Sequence, residues 1–150
     1  MRLQVTTLVV LAGWASAAAA QAPGYRPAPT GGSCYALGAL LLRPLVDSTA
    51  LGGPEVELAE LTLPAGWDGS GPGHRHGRIE VLYIVSGRLG HVVNDVVHEL
   101  GPGQVGIVRP GDRVRHQVLS AEPVRAVAVW GPSGELGRIL AGARPAACPP

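Results

Sequence analysis

His74, His76 and Glu80 place three side chains of metal-ligand type within one short segment, HRHGRIE. In extended backbone successive side chains point to opposite faces, so His74 and His76 share a face and can grip one ion side by side, with Glu80 on the same parity. Imidazole suits the divalent ions of Mn, Fe, Co, Ni, Cu and Zn, and a carboxylate adds charge and hardness. Such a set leaves coordination positions for water or substrate, as a working metal centre does and a sealed structural one does not. Glu80 also stands inside an apolar run, IEVLYIV at residues 79–85, where an unpaired buried carboxylate would cost several kcal/mol. A bound cation removes that cost. His116 is the fourth candidate ligand: in VRHQVL, residues 114–119, alternation puts His116 and Val118 on one face and sends Arg115 to the other.

The remaining chemistry-bearing residues read more plainly. His91 and His98 flank the turn of an expected hairpin and read as part of its exposed face, so neither enters the predicted site. Arg78, Arg109, Arg113 and Arg115 carry forks able to hold a carboxylate or phosphate. They read as a solvated rim, with Arg78 the best placed of them. Trp67 and Tyr83 read as packing residues.

The elements that must position these groups are short. Residues 56–63, 79–85, 105–108, 114–119 and 124–130 read as strands, and residues 90–100 as a hairpin about Asn94-Asp95, residue types that tolerate the positive φ of a tight turn. Residues 40–46 form an apolar stretch around Pro44, suited to an edge strand or a short crossing piece. A short helix over 134–140, capped by Ser133 and stopped by Gly142, closes one end. Many short strands with turn residues between them predict an all-β sandwich or barrel. The strands at 79–85 and 124–130 are apolar on both faces, so something must cover the outer one. A homodimer is the expectation; cover by the 34–46 segment is the alternative.

At 150 residues the chain suffices for one domain. Its 12 basic residues, all Arg, oppose 11 acidic ones, so no polyanion-binding field arises and nucleic acid is not an expected partner. Arg2, an apolar centre at residues 8–12 and Ala18-Ala19-Ala20 form the three parts of a secretory signal. Cleavage after Ala20 is expected, leaving a Pro- and Gly-rich linker at 21–33 and a domain at 34–150. No later apolar run is long enough to span a bilayer, so a periplasmic or secreted protein without stable membrane insertion is expected. In an oxidising compartment Cys34 and Cys148 are expected to pair.

The spacing H-x-H-x3-E-x6-G, from His74 through Glu80 to Gly87, resembles the first motif of the cupin family. The second cupin motif is matched more loosely by Gly103, Pro110, Gly111 and His116. Gly111 to His116 is two residues longer than the pattern, and Ser120 stands where Asn is usual. The resemblance covers residues 56–129. It implies a small antiparallel β-barrel of the double-stranded β-helix, jelly-roll type, with one divalent transition metal (Mn, Fe, Ni, Cu or Zn) held by His74, His76, Glu80 and His116. Cupins with this ligand set include dioxygenases, oxidative decarboxylases and secreted germin-like enzymes. The leading expectation is therefore a metal-dependent, dioxygenase-like oxidoreductase acting on a small organic molecule, with Glu80 as ligand or proton acceptor. The alternative is a non-catalytic module that uses the metal to bind or sense a small molecule.

Overall fold

Alternation organises the domain. The computed structural model describes residues 32–149; the expected signal at 1–20 and residues 21–31 of the expected linker lie outside the described residues. Strand β3 (Glu57–Leu63) buries every second residue, Glu57, Ala59, Leu61 and Leu63. Strand β5 (Ile79–Ser86) buries Glu80, Leu82 and Ile84, and β10 (Val124–Gly131) buries Val124, Ala126, Ala128 and Trp130. These three strands form the centre of a seven-stranded antiparallel sheet, completed on one side by β8 (Val105–Val108) and on the other by β2 (Leu40–Val46), β1 (Cys34–Leu37) and β11 (Arg144–Ala146). A four-stranded antiparallel sheet holds β4 (His74–Arg75), β9 (Arg113–Val118), β6 (Leu89–Val93) and β7 (Val96–Leu100), in that order. The sheets are open rather than closed into a barrel, and the architecture is a jelly roll. Leu42, Leu61, Leu63, Leu82, Ile84, Leu89 and Trp130 join one core.

The hairpin between β6 and β7 turns on Asn94 and Asp95, both at positive φ (49° and 68°), as their residue types allow. The 40–46 stretch is neither an edge strand nor a crossing piece: β2 lies between β1 and β3, and the sheet accommodates Pro44 where the register shifts. A bulge is where a residue lacking an N–H donor does least harm to a ladder.

The second helix, α2 (Glu135–Leu140), follows a single turn, α1 (Ser48–Leu51), much earlier in the chain. Ser133 does not cap α2. Gly134 takes the cap position without a side-chain bond, and the buried Glu57 carboxylate accepts from the Glu135 and Leu136 N–H groups instead, at 2.9 and 2.8 Å. A carboxylate at a helix start satisfies orphan donors and faces the positive end of the helix dipole. A partner 78 residues away in sequence carries no local signal.

The 34–46 segment extends the large sheet instead of covering it. Ile79, Tyr83, Val85, Val105 and Ile107 therefore stay exposed on its outer face, Ile107 to 63%. Tyr83 is thus not the core-packing residue its sequence context predicts, whereas Trp67 does pack partly buried against the core. Among the described residues no helix is long and apolar enough to cross a membrane.

Cys34 and Cys148 form the expected disulfide, their Cα atoms 5.1 Å apart and 114 residues apart in sequence. Cys34 lies on β1, whose partner β11 ends two residues before Cys148, so the bridge fastens an edge strand to the sheet. Constraining so long a loop in the unfolded chain stabilises by about 4 to 5 kcal/mol in the chain-entropy model, and measured gains are often smaller. Replacing both cysteines by Ser is expected to lower unfolding free energy by about 2 to 4 kcal/mol, read from the urea midpoint under non-reducing conditions.

Candidate metal centre

Cross-strand partners share a face of a sheet, and register brings the candidate ligands together. In the small sheet His74 opposes Val114, Val114 opposes Val93, and His116 opposes His91. All of these belong to the face that looks at the large sheet. From there Glu80 looks back, level with Trp130 and Val108 on its neighbouring strands. His76 follows β4 in a turn and is buried, while His74 is exposed at the end of its sheet.

The polar atoms converge. His74 Nε2 lies 3.1 Å from His76 Nε2, and His76 Nε2 lies 3.0 Å from Glu80 Oε2. The His74 and His116 rings are 5.5 Å apart between centroids. One donor atom each from Glu80, His91 and His116 lie within 4.8 Å of one another. Two donors about 2.1 Å from one ion and at right angles to each other stand about 3 Å apart, which is the spacing seen along His74, His76 and Glu80. Three buried atoms, Glu80 Oε1, His91 Nε2 and His116 Nε2, have no hydrogen-bond partner. Buried polar atoms are nearly always partnered, and their absence of partners marks a place where a cation fits. The donor set of imidazoles and one carboxylate is of the kind that divalent transition metals take.

The site is held from behind. His76 Nδ1 lies 2.9 Å from Glu135 Oε1, and the other Glu135 oxygen accepts from the Gly77 N–H at 3.2 Å. With Nδ1–H donated to Glu135, Nε2 is the nitrogen presented to Glu80 and His74. Arg138 pairs with Glu135 and also donates to the Arg75 carbonyl at 2.7 Å, tying α2 to β4. Trp130 donates its indole N–H to Glu80 Oε2 at 2.9 Å. Thus Glu135 orients His76 and Trp130 steadies Glu80.

Burial and neighbouring charge set the protonation states. Burial alone would raise the Glu80 pKa, but hydrogen bonding and charge from His76 outweigh it and hold the carboxyl at about 2. For His76 burial opposes protonation, yet the Glu80 and Glu135 carboxylates beside its two nitrogens raise its pKa. Burial pushes His116 down to about 3, with Glu80 opposing and the other imidazoles assisting. Burial likewise lowers His91, and the partly buried ring edge that His74 turns toward His76, together with the His76 charge, lowers His74.

The expectation for His91 is corrected. It is 1% exposed and sits at the cluster, not on the outside of the hairpin. The signal lay in its pairing: once His116 faces inward, its register partner His91 must do so too. His98 opposes His91 on the edge strand β7 and is exposed as expected. Arg113 and Arg115 pair with Asp95 by the hairpin turn, and exposed Arg78 donates to the Ser133 carbonyl. A separate cavity of about 580 Å³ is lined by Leu41, Arg43, Glu60, Thr62 and Arg125. Both arginines there are already paired with Glu60, and Glu122 also lines it.

Comparison with known proteins agrees with this fold. The family model described as cupin domain matches residues 59–130. A solved RmlC-like cupin from Shewanella frigidimarina is 20% identical, with 71% of this chain and 88% of that one covered at a TM-score of 0.54. A predicted oxalate decarboxylase from Thermotoga maritima is 21% identical, with 63% and 81% covered at 0.53. The cupin domain of an XRE family transcriptional regulator from Enterobacter cloacae is 21% identical, with 63% and 97% covered at 0.52. No curated protein sequence matches. At such identities the structural likenesses establish the fold alone.

The depressed imidazoles are expected to make the metal-free protein less stable in acid. His116, with a folded pKa of about 3 against an ordinary value near 6.5, contributes stability present above pH 6.5 and lost as pH falls through 3. His74 and His91 act in the same direction. Glu80 adds a second loss, from its ordinary value of 4.5 down through 2. His76, raised, works the other way: its contribution is full below 6.5 and fades as pH rises through its folded value. The urea midpoint of metal-free protein is expected to fall steadily between about pH 6.5 and pH 4, and His116→Leu to flatten that fall.

Proposed function

Since the chain belongs to the cupin family through its domain over residues 59–130, we propose that it binds one divalent transition metal through His74, His76, Glu80 and His116 and acts as an oxidoreductase on a small organic molecule. The observation that carries this reading is the group of buried, unpartnered donor atoms on Glu80, His91 and His116 beside the His74, His76 and Glu80 contacts. Leaving such atoms bare would cost far more than leaving an apolar lining there.

When bound, the ion supplies Lewis acidity and, for a redox-active metal, one-electron chemistry. The chain's own residues do the rest. Glu135 holds His76 in the tautomer that offers Nε2, and Trp130 occupies one lone pair of Glu80 Oε2. Glu80 Oε1 is left free to ligate or to accept a proton from a bound substrate. Leu82, Ile84, Val108 and Val114 wall the inner space with apolar surface, which excludes bulk water and strengthens every charge interaction within. His74, exposed at the end of the small sheet, marks the approach from solvent.

A second reading, a non-catalytic binding or sensing module, is favoured by one feature. Among the described residues the other buried carboxylates, Glu57 and Glu135, are both engaged, one at the α2 start and one on His76. Among the described residues no buried carboxylate is left free outside the ligand set, and the one unpartnered buried imidazole outside it is His91. A cupin domain also serves as part of the Enterobacter transcriptional regulator, so the fold accommodates such a role.

We further propose export to the periplasm or exterior and a homodimer joined through the exposed outer face of the large sheet, around Tyr83, Val105 and Ile107. The disulfide and the three-part amino terminus support export, and the contiguous exposed apolar residues support the dimer. Protein recovered from its host should begin at Gln21 and sediment as a dimer; a chain retaining Met1, or a monomer at high concentration, would count against the respective proposal.

Protein purified without chelators is expected to hold one transition metal per chain by elemental analysis, with His74→Ala and His76→Ala each nearly abolishing it and His116→Ala weakening it. A wild type that takes up no metal at neutral pH would remove the metal reading. Oxygen uptake that depends on a small organic substrate would establish the oxidoreductase; stoichiometric metal with no such uptake would favour the binding module.

A further inference from the structure

We propose that His91 is a fifth protein ligand of this centre, so that a six-coordinate ion keeps one position for an outside molecule, which must then engage through a single donor atom. The proposal rests on the metal reading above and adds a residue that the cupin motif spacing does not contain. His91 lies on β6, between the two motifs in sequence and directly opposite His116 in the sheet. Its ring stacks on that of His116, centroids 5.2 Å apart and planes 19° apart, so the two imidazoles run side by side toward Glu80.

Three observations separate a ligand from a packing residue. His91 is 1% exposed and its Nε2 has no partner, although an apolar side chain would fill the same space without leaving a bare nitrogen. Its donor atom converges with those of Glu80 and His116, none more than 4.8 Å from another. Opposite donors on an ion with bonds of about 2.1 Å are about 4.2 Å apart, so closing on an ion needs only a small inward adjustment of side chains. The facing sheet also keeps room for the ring. A Cβ at Gly106 on β8 would stand 2.5 Å from His91 Nδ1, closer than any real contact. His98 is the internal contrast: it has the same residue type and is the register partner of His91 on the other side, but it is exposed and needs nothing but water.

A five-donor set changes what can bind. With His74, His76, Glu80, His91 and His116 all engaged, a chelating substrate that brings two oxygens to the ion must displace a protein ligand first. A carboxylate, phenolate or hydroxide binding through one oxygen need not. The centre thus selects monodentate oxygen ligands over chelators.

The test uses the full-length protein and the metal alone. Wild type, His91→Ala, His91→Gln and His98→Ala are loaded with Co(II); affinity is measured by competition with a chromophoric chelator, and coordination by the visible spectrum. Loss of a ligand should weaken binding by about tenfold or more and alter the spectrum in both His91 variants, with His98→Ala unchanged. His91→Gln keeps most of the side-chain volume and serves if His91→Ala does not fold. Oxalate, added as a chelating probe, should perturb the Co(II) spectrum of the His91 variants at lower concentration than that of wild type. Wild-type affinity and spectrum in a folded His91 variant would overturn the fifth ligand and leave the four-residue centre standing. Failure of the wild type to take up Co(II) at all would overturn the metal reading itself, and this inference with it.

Discussion

A carboxylate buried in the middle of an apolar strand is the constraint on which the rest of this domain turns. Glu80 is 2% exposed, with Leu82 and Ile84 following it on the same face, and a charge there is tolerable only if its surroundings supply donors or a cation. The domain supplies both kinds of partner. Trp130, its register neighbour on β10, gives an indole N–H, and His76 gives an imidazole. What stays bare is one carboxylate oxygen, facing a space into which two further buried imidazole nitrogens also project without partners.

Support for that centre runs outward in a chain of hydrogen bonds, each making the next geometry definite. Glu135 holds His76, Arg138 and the Gly77 N–H hold Glu135, and Glu57 holds the start of the helix that carries both Glu135 and Arg138. A fully satisfied buried polar network of this type rigidifies what it surrounds. Helix α2 lies beyond the residues matched by the family model, 59–130, and Glu57 lies just before them. The residues matched by the cupin model therefore carry the candidate ligands His76 and Glu80, and flanking sequence provides Glu135, the group that orients His76.

The two sheets divide the labour differently on their two faces. The inner faces combine a close-packed aliphatic lining with a polar centre, an arrangement that strengthens electrostatic interactions by keeping water out. The outer face of the large sheet keeps a row of exposed apolar residues on β5 and β8, because the amino-terminal strands lengthen the sheet at its far side instead of folding over it. The disulfide closes that far side, binding the last strand to the first.

Local information sufficed for a good deal. The longer central strands could be read within a residue or two, because alternation and turn chemistry are properties of neighbouring residues: 105–108 is a strand as expected, and Asn94-Asp95 makes the turn, whereas the short strands Cys34–Leu37, His74–Arg75 and Arg144–Ala146 carry too few residues to show alternation. The ligand-like trio His74, His76 and Glu80 was legible for the same reason, since parity along a few residues decides a face. The inward face of His91, the role of Glu135 and the cap from Glu57 were not. Both faces of β6 are apolar enough to leave its parity open, and only pairing with β9 turns His91 inward. Glu135 meets His76 across 59 residues and Glu57 meets the helix across 78. Contacts at that separation are set by how the sheets stack, and no local periodicity encodes them. By itself, then, the sequence determined most of the strands, the turn and the candidate trio His74, His76 and Glu80, and tertiary structure alone decided which buried groups surround them, because register between distant strands, not spacing along one, selects who shares a face.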